Sequence, residues 1–364
     1  MQQGLKNTSY FENKTKARLS SIDSKGDSMP YRYCFVLTNA CNLRCSFCFQ
    51  EKKPIKGSLK LDNWIDIASQ LPYGSHITLT GGEPLMFRGF KKLVENLRDD
   101  ITFNVITNGL LLEKDLVDFL LDQNGLKVLS CSIDDVGNKS RDFTADMWEK
   151  LISNLNYFKD KKNQINKNIV LDIKTVVHGG NIDGIIPMAK FSSHELGSDT
   201  HMFMFLKGSP MQHSDIMFDY GYALENNKGF ENYEIPKVIN EVKKLKDLIK
   251  SGFTKNTKFF LHPKFVDLYT NQDIDIIEKF LDRPHHNPKD FMPCRSPWVS
   301  IHINNDGNVF PCLSFSIGNT YENTLKEIVN SQKMNQFKED LEKCGTLPGC
   351  KQCGYLMPKE TYLV

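Results

Sequence analysis

The chain has 364 residues, with 46 Lys and Arg against 44 Asp and Glu, a formal net charge of +2. That balance lacks the basic excess of a non-specific nucleic-acid or anionic-membrane binder, and 40% hydrophobic with 25% charged residues excludes wholesale disorder. No apolar run approaches the roughly 18 residues of a spanning helix. Residues 1–28 are polar and lack the apolar stretch of a secretory signal, so the sequence predicts a cytoplasmic protein with no membrane partner.

Ten cysteines in a reducing compartment read as thiols, not disulfides. Cys34, Cys41, Cys45 and Cys48 lie near the start, and Cys294, Cys312, Cys344, Cys350 and Cys353 near the end, with Cys131 between them. Two separated thiolate groups predict two metal sites.

In chain order, residues 1–30 read as a polar arm. Over 31–208, β-rich runs at 33–38, 76–80, 102–106, 127–133, 169–177 and 201–206 alternate with amphipathic windows at 64–71, 90–97, 114–121, 147–158 and 182–191. Asp62 and Thr144 read as N-caps of two of these helices. Six β-α units predict parallel strands with right-handed crossovers. Eight would close a barrel, so the expected fold is α/β, a partial and open (β/α)6 TIM-like barrel with its active site at the C-terminal strand ends. Residues 209–293 read as a connecting helical region. Pro236 sits in a first helical turn, Ile239, Val242, Leu245 and Leu248 form the apolar stripe, and Gly252 is the stop. Residues 294–364 read as a small α+β domain: a hairpin over 298–303 and 309–313 about Asn305-Asp306-Gly307, a helix over 324–341, then a Gly- and Cys-rich tail.

Cys41-Asn-Leu-Arg-Cys45-Ser-Phe-Cys48 directly follows the first strand. A loop of this spacing can aim three sulfurs at one centre. Iron–sulfur clusters usually take four thiolates, so three leave one iron open, and open metal positions go with chemistry. The other reading is a zinc knuckle completed by a distant ligand such as Cys34. Strand two ends in Thr80-Gly81-Gly82-Glu83-Pro84, where two glycines allow the backbone a close approach to a ligand. Strand three ends in Thr107-Asn108-Gly109 and strand four in Ser132-Ile133-Asp134. No Walker loop, GxGxxG or HExxH pattern competes.

CxxxCxxC with an aromatic before the last Cys, after the first strand of a partial barrel, resembles the radical S-adenosylmethionine (radical SAM) superfamily over 31–208. The resemblance implies a 4Fe–4S cluster on Cys41, Cys45 and Cys48, its fourth iron chelated by S-adenosylmethionine. One electron would cleave that cofactor to a 5′-deoxyadenosyl radical, which abstracts a substrate hydrogen. It also implies that Gly81, Gly82 and Glu83 meet the methionyl amino group. Thr107 and Ser132 would meet its methionyl or ribose groups, Arg141 its carboxylate, and Phe47 its adenine. Asp135 departs from the glycine the family often carries there. Cys34 and Cys131 lie within strands and read as small buried hydrophobes.

Near the C-terminus, Cys294, a hairpin with Gly307-x4-Cys312, Ile317-Gly318-Asn319, a helix and Cys350-x2-Cys353 follow in that order. Four thiolates alone suit zinc or an iron–sulfur cluster. The order resembles the twitch domain, a shortened SPASM domain, and implies one auxiliary 4Fe–4S cluster on Cys294, Cys312, Cys350 and Cys353. Cys344 reads as structural, with replacement of one of the four as its other reading. A closed auxiliary cluster suits acceptance of a second electron, hence substrate oxidation. The expected substrate is a small metabolite or a peptide, and the expected electron donor a flavodoxin or ferredoxin. Thirty polar residues are too few for a leader-recruiting domain, which counts against the peptide. A radical SAM epimerase or rearrangement enzyme, an RNA-modifying enzyme and a non-catalytic metal-binding protein stand as the other readings. His178 and Lys207 could serve as acid or base, though exposed loop side chains are the plainer reading.

Overall fold

The computed structural model describes residues 29–48, 57–205, 233–254, 256–262, 266–271, 274, 277–278, 291–292, 294–312, 315–345 and 359. Lys207, Cys350, Cys353 and nearly all of the expected N-terminal arm lie outside them.

Each β-rich run becomes a strand followed by a helix. The first half contains β1 (Arg32–Val36), α1 (Leu61–Ser69), β2 (His76–Thr80), α2 (Phe90–Glu95), β3 (Thr102–Thr107), α3 (Lys114–Asp122), β4 (Leu126–Ser132), α4 (Ala145–Gln164), β5 (Val170–Val177), α5 (Ile185–Lys190) and β6 (Thr200–Phe205). The second contains α6 (Ile235–Lys250), β7 (Lys258–His262), α7 (Ser296–Val299), β8 (Ser300–Ile303), β9 (Asn308–Phe310), β10 (Gly318–Asn319), α8 (Leu325–Val329) and α9 (Gln332–Cys344).

These strands form one sheet in the order β10-β9-β8-β1-β2-β3-β4-β5-β6-β7. The six expected strands are parallel neighbours, and β10 and β7 leave the sheet open. The sheet is also longer than expected. β7 pairs in parallel with β6, and β8, the first strand of the C-terminal hairpin, pairs in parallel with β1, with Arg32 opposite Ser300. Neither partnership is local, so no turn signal announces it.

Two corrections concern helix starts. Lys60, not Asp62, holds the N-cap position of α1, because the Asn63 side chain accepts the Lys60 N–H at 2.9 Å. Asp62 sits in the first turn, where a negative charge faces the helix dipole. The helix expected over 324–341 is two. Thr324 starts α8, and the Ser331 hydroxyl accepts the Met334 N–H at 3.2 Å and starts α9. Thr144 caps α4 as expected, through the Met147 N–H at 3.3 Å.

Period-two alternation divides the sheet into two faces. On the helix-covered face, Tyr33, Phe35, Ile77, Leu79, Leu129, Ile173 and Phe203 are fully buried, and the α1 Trp64 ring lies 4.9 Å from that of Phe35. The opposite face is the more polar one, and its half-exposed C-terminal strand ends mix Thr80, Ser132 and Lys174 with Ile106, Met202 and Met204. Beneath them the polar groups are paired. Thr78 donates to Asn104 Oδ1 (2.8 Å), Ser130 and Thr200 donate to Asp172 (2.8 and 2.7 Å), and Lys174 Nζ is 2.9 Å from the same carboxylate. Buried polar groups must be satisfied, and here the strands satisfy one another across this face.

Candidate active site

Cys41, Cys45 and Cys48 lie on the loop that leaves the C-terminal end of β1. Three backbone hydrogen bonds join this stretch to the end of β2 and its loop: Leu37 N–H to Thr80 O (2.8 Å), Gly82 N–H to Thr38 O (2.6 Å) and Glu83 N–H to Ala40 O (2.8 Å). This contact explains the glycine pair. A Cβ on Gly81 would stand 2.5 Å from Thr38 O, and one on Gly82 would stand 2.4 Å from Ala40 O. Among the described residues, then, the close approach that the glycines permit is to the cysteine loop itself. A third loop joins in, as Asn108 Nδ2 donates to Asn42 Oδ1 at 2.8 Å.

Glu83 is buried behind this junction. Its carboxylate accepts from Thr107 Oγ1 (2.7 Å), the Asn108 N–H (2.8 Å) and the Leu85 N–H (3.2 Å). Burial pushes its pKa up to about 7, against the pull of those donors and of Arg141. The Thr107 hydroxyl is thus turned to Glu83. Ser132 ends β4 half-buried on the polar face, in register with Lys174.

Cys45 and Phe47 are buried, while Cys41 and Cys48 are half-buried. Burial raises the Cys41 and Cys45 thiols, and at Cys45 the Arg141 guanidinium opposes the rise. Arg141 Nη1 lies 3.8 Å from Cys45 Sγ, its Nε lies 2.6 Å from Asp134 Oδ2, and its guanidinium carbon lies 5.4 Å from the centre of the Phe47 ring. The loop after β4 aims this side chain. Both Asp135 carboxylate oxygens accept backbone N–H groups, from Lys139 (2.7 Å) and Ser140 (2.8 Å), capping the short 3-10 turn Lys139–Arg141. The departure from the family's glycine therefore builds the turn that carries Arg141. Asn138, in the left-handed region at φ 50°, accepts the Asp134 N–H at 3.0 Å.

His178 follows β5, and its ring centre lies 5.3 Å from that of Phe47. Its Nδ1 accepts the Gly180 N–H at 3.1 Å. Burial lowers its pKa, with Asp134 and Asp135 opposing. Cys34 and Cys131 are buried in β1 and β4, as expected.

In the C-terminal segment, Cys294 and Cys312 are half-buried and Cys344 is exposed. Gly307 adopts φ +84°, and a Cβ there would meet Asn319 Oδ1 at 2.6 Å. Asn319 Nδ2 donates to Asp306 O (3.2 Å) and Asn308 Oδ1 (3.0 Å), locking the hairpin turn to β10. The Cys294 N–H donates to Gly345 O at 3.3 Å, so the start of this segment meets the end of α9 beside Cys344.

Among the described residues, no three Cys, His, Asp or Glu side chains converge as one metal ion requires. Three thiolates of a four-iron cube bind three different irons and need not meet at a point. A cationic N–H donor beside Cys45 also suits ligating thiolates. The loop therefore fits a cluster better than a single zinc ion.

Residues 35–192 match the family model of the radical SAM superfamily, and residues 294–354 match that of the SPASM iron–sulfur cluster-binding domain. The chain carries a radical SAM domain followed by a SPASM domain. It is an enzyme that uses S-adenosylmethionine and two iron–sulfur clusters, one in each matched domain. It is 26% identical to the sporulation killing factor maturation protein SkfB of Bacillus subtilis (strain 168), over 89% of this chain and 70% of that one. It is 24% identical to a GTP 3′,8-cyclase of Aliarcobacter butzleri (strain RM4018), over 88% and 90%. Its fold resembles that of Streptococcus suis SuiB bound to the precursor peptide SuiA, with TM-score 0.59, 18% identity and coverage of 90% and 71%. Among the described residues, no helix is long and apolar enough to cross a membrane.

Asn42, Asn108, Asp134 and Asn138 carry the site's geometry yet formed no part of the expected site. The Asn108 and Asp134 positions, at the ends of strands three and four, had a sequence signal; Asn42 and Asn138 had none of their own.

Proposed function

We propose that this radical SAM enzyme is a peptide maturase. Cys41, Cys45 and Cys48 would hold the cluster that binds S-adenosylmethionine, and Cys294, Cys312, Cys350 and Cys353 an auxiliary one. The observation that carries this reading is the junction of three loops: the cysteine loop is bonded to Gly82 and Glu83 and to Asn108 at the mouth of a half-exposed polar sheet face. When bound, the cluster and cofactor supply a carbon radical that takes a hydrogen atom from the substrate.

The chain's own residues orient and shield. Gly81, Gly82 and Glu83 frame the methionyl end, with Thr107 acting through Glu83. Ser132 faces the ribose side, and Phe47, packed on His178, faces the adenine. The sheet face bearing Lys174, Met202 and Met204 receives the substrate. A flavodoxin or ferredoxin donates the electron. The maturation role of SkfB and the precursor peptide bound to SuiB favour a peptide. The likeness to a GTP 3′,8-cyclase favours a second reading, a small-molecule substrate.

The test is anaerobic incubation of the reduced enzyme with S-adenosylmethionine and short peptides encoded beside its gene. The expected result is 5′-deoxyadenosine together with a peptide lighter by two hydrogens. 5′-Deoxyadenosine formed only with nucleotides would replace the peptide reading by the second one, and none with any substrate would refute both.

A further inference from the structure

The loop after β4 commits three side chains, Asp134, Asp135 and Asn138, to one guanidinium, and the cysteine loop adds a fourth, Phe47. Asp134 is fully buried, its Oδ1 fixed by the Val176 N–H at 2.7 Å and its backbone N–H by Asn138. Its Oδ2 holds Arg141 Nε at 2.6 Å. Asp135 caps the turn on which Arg141 stands, and Phe47 underlies the guanidinium. Arginine stays charged at every working pH and presents its N–H groups as a rigid fork. With the guanidinium held at Asp134 by this ion pair, Nη1 is the group that donates to Cys45 Sγ, at 3.8 Å.

We propose that Arg141, clamped by Asp134, tunes the reduction potential of the cluster at Cys45 by donating to that thiolate. This differs from the carboxylate contact that resemblance implies for Arg141. It rests on the reading that Cys45 is a cluster ligand. Reduction adds negative charge to the cluster. A fixed cation and an N–H donor at a ligating sulfur stabilise the reduced form, and hydrogen bonds to cluster sulfurs are among the established determinants of potential. Asp134 offsets part of the charge, so the effect is moderate: removal of the cation lowers the reduced-to-oxidised ratio at fixed potential about tenfold, which for a one-electron couple is about 59 mV. Arg141 is thus a positioning and tuning residue.

The test is an EPR-monitored redox titration of the full-length, anaerobically reconstituted protein. The cluster in question is the one whose signal changes on adding S-adenosylmethionine. Arg141→Met is expected to keep its iron and to shift the midpoint negative by the amount above. Arg141→Lys, which keeps charge without the fork, recovers part of that shift and is read the same way if the Met variant loses its iron. An unchanged midpoint in an iron-loaded variant overturns the inference. So does weakened S-adenosylmethionine binding to the oxidised cluster with potential unchanged, which would return Arg141 to the cofactor's carboxylate. A wild-type protein with no S-adenosylmethionine-sensitive cluster would refute the proposed function instead.

Discussion

Gly82→Ala perturbs the junction at its tightest point. The added Cβ would stand 2.4 Å from Ala40 O and 2.7 Å from Asn39 O, where ordinary contact begins near 3.4 Å. Both atoms belong to the backbone of the cysteine loop, so no side-chain rotation relieves the overlap. The loop must retreat by about 1 Å, which breaks the bonds from Gly82 N–H to Thr38 O and from Glu83 N–H to Ala40 O. Each such bond contributes about 0.5–1.5 kcal/mol net, and overpacking adds about 1–3 kcal/mol. The expected destabilisation is about 2–6 kcal/mol, read as a lower urea midpoint at unchanged slope. Iron uptake at the N-terminal site should fail with it. Gly184→Ala is the control. Gly184 is right-handed helical, at φ −76°, and its nearest neighbour to an added Cβ is 3.9 Å away, so it should be neutral or stabilised by about 0.4–1 kcal/mol. A Gly82→Ala protein with wild-type midpoint and full iron would refute the reasoning.

The other predictions concern the scaffold. His201 is buried between Thr175 (Nε2 to Oγ1, 2.8 Å) and Ser192 (Nδ1 to Oγ, 2.8 Å), and burial lowers its pKa to about 3, with Lys174 adding to the effect. Between about pH 6.5 and 3 the unfolded chain binds a proton there that the folded chain refuses. This contribution to stability is therefore present above pH 6.5 and is lost as pH falls, by about 1.4 kcal/mol per unit. Urea midpoints from pH 7 to 5 should show His201→Gln losing this component relative to wild type, and parallel curves would contradict it. Gly307→Ala forces a side chain into a left-handed turn against Asn319. It should cost about 1–3 kcal/mol and halve the iron by emptying the second site, and unchanged stability and iron would disprove the interlock. Asp135→Ala leaves the Lys139 and Ser140 N–H groups without their acceptor. Hydrogen exchange over 139–141 should accelerate, consistent with a lost cap of about 1 kcal/mol, and unaltered exchange would show that another group orders the turn.

The local motifs were legible because their chemistry is local. Cysteine spacing, the glycine pair and six alternating strand and helix patterns each declare themselves within a short window. The groups that shape the site are distant in sequence or rest on short polar contacts. Asn42 meets Asn108 across two loops. Pairing of β8 with β1 joins residues far apart in the chain, and loop closure over such separations leaves no local pattern. Asp134 and Arg141 are close in sequence, but only the left-handed Asn138 and the Asp135 cap turn one toward the other. Gly81 and Gly82 were legible as a close-approach signal, yet the neighbour they admit is the cysteine loop, which a ligand-based expectation does not foresee. The helix expected over 324–341 failed for a related reason: its apolar pattern spans a break that the Ser331 cap imposes.

Iron and acid-labile sulfide counting on anaerobically purified protein tests the central claim most directly. Two four-iron clusters predict about eight irons per chain, falling to about four when Cys41, Cys45 and Cys48 are all replaced by Ala, with the S-adenosylmethionine-sensitive EPR signal abolished. Zinc in place of iron, or a triple variant that keeps all its iron and that signal, would contradict the account.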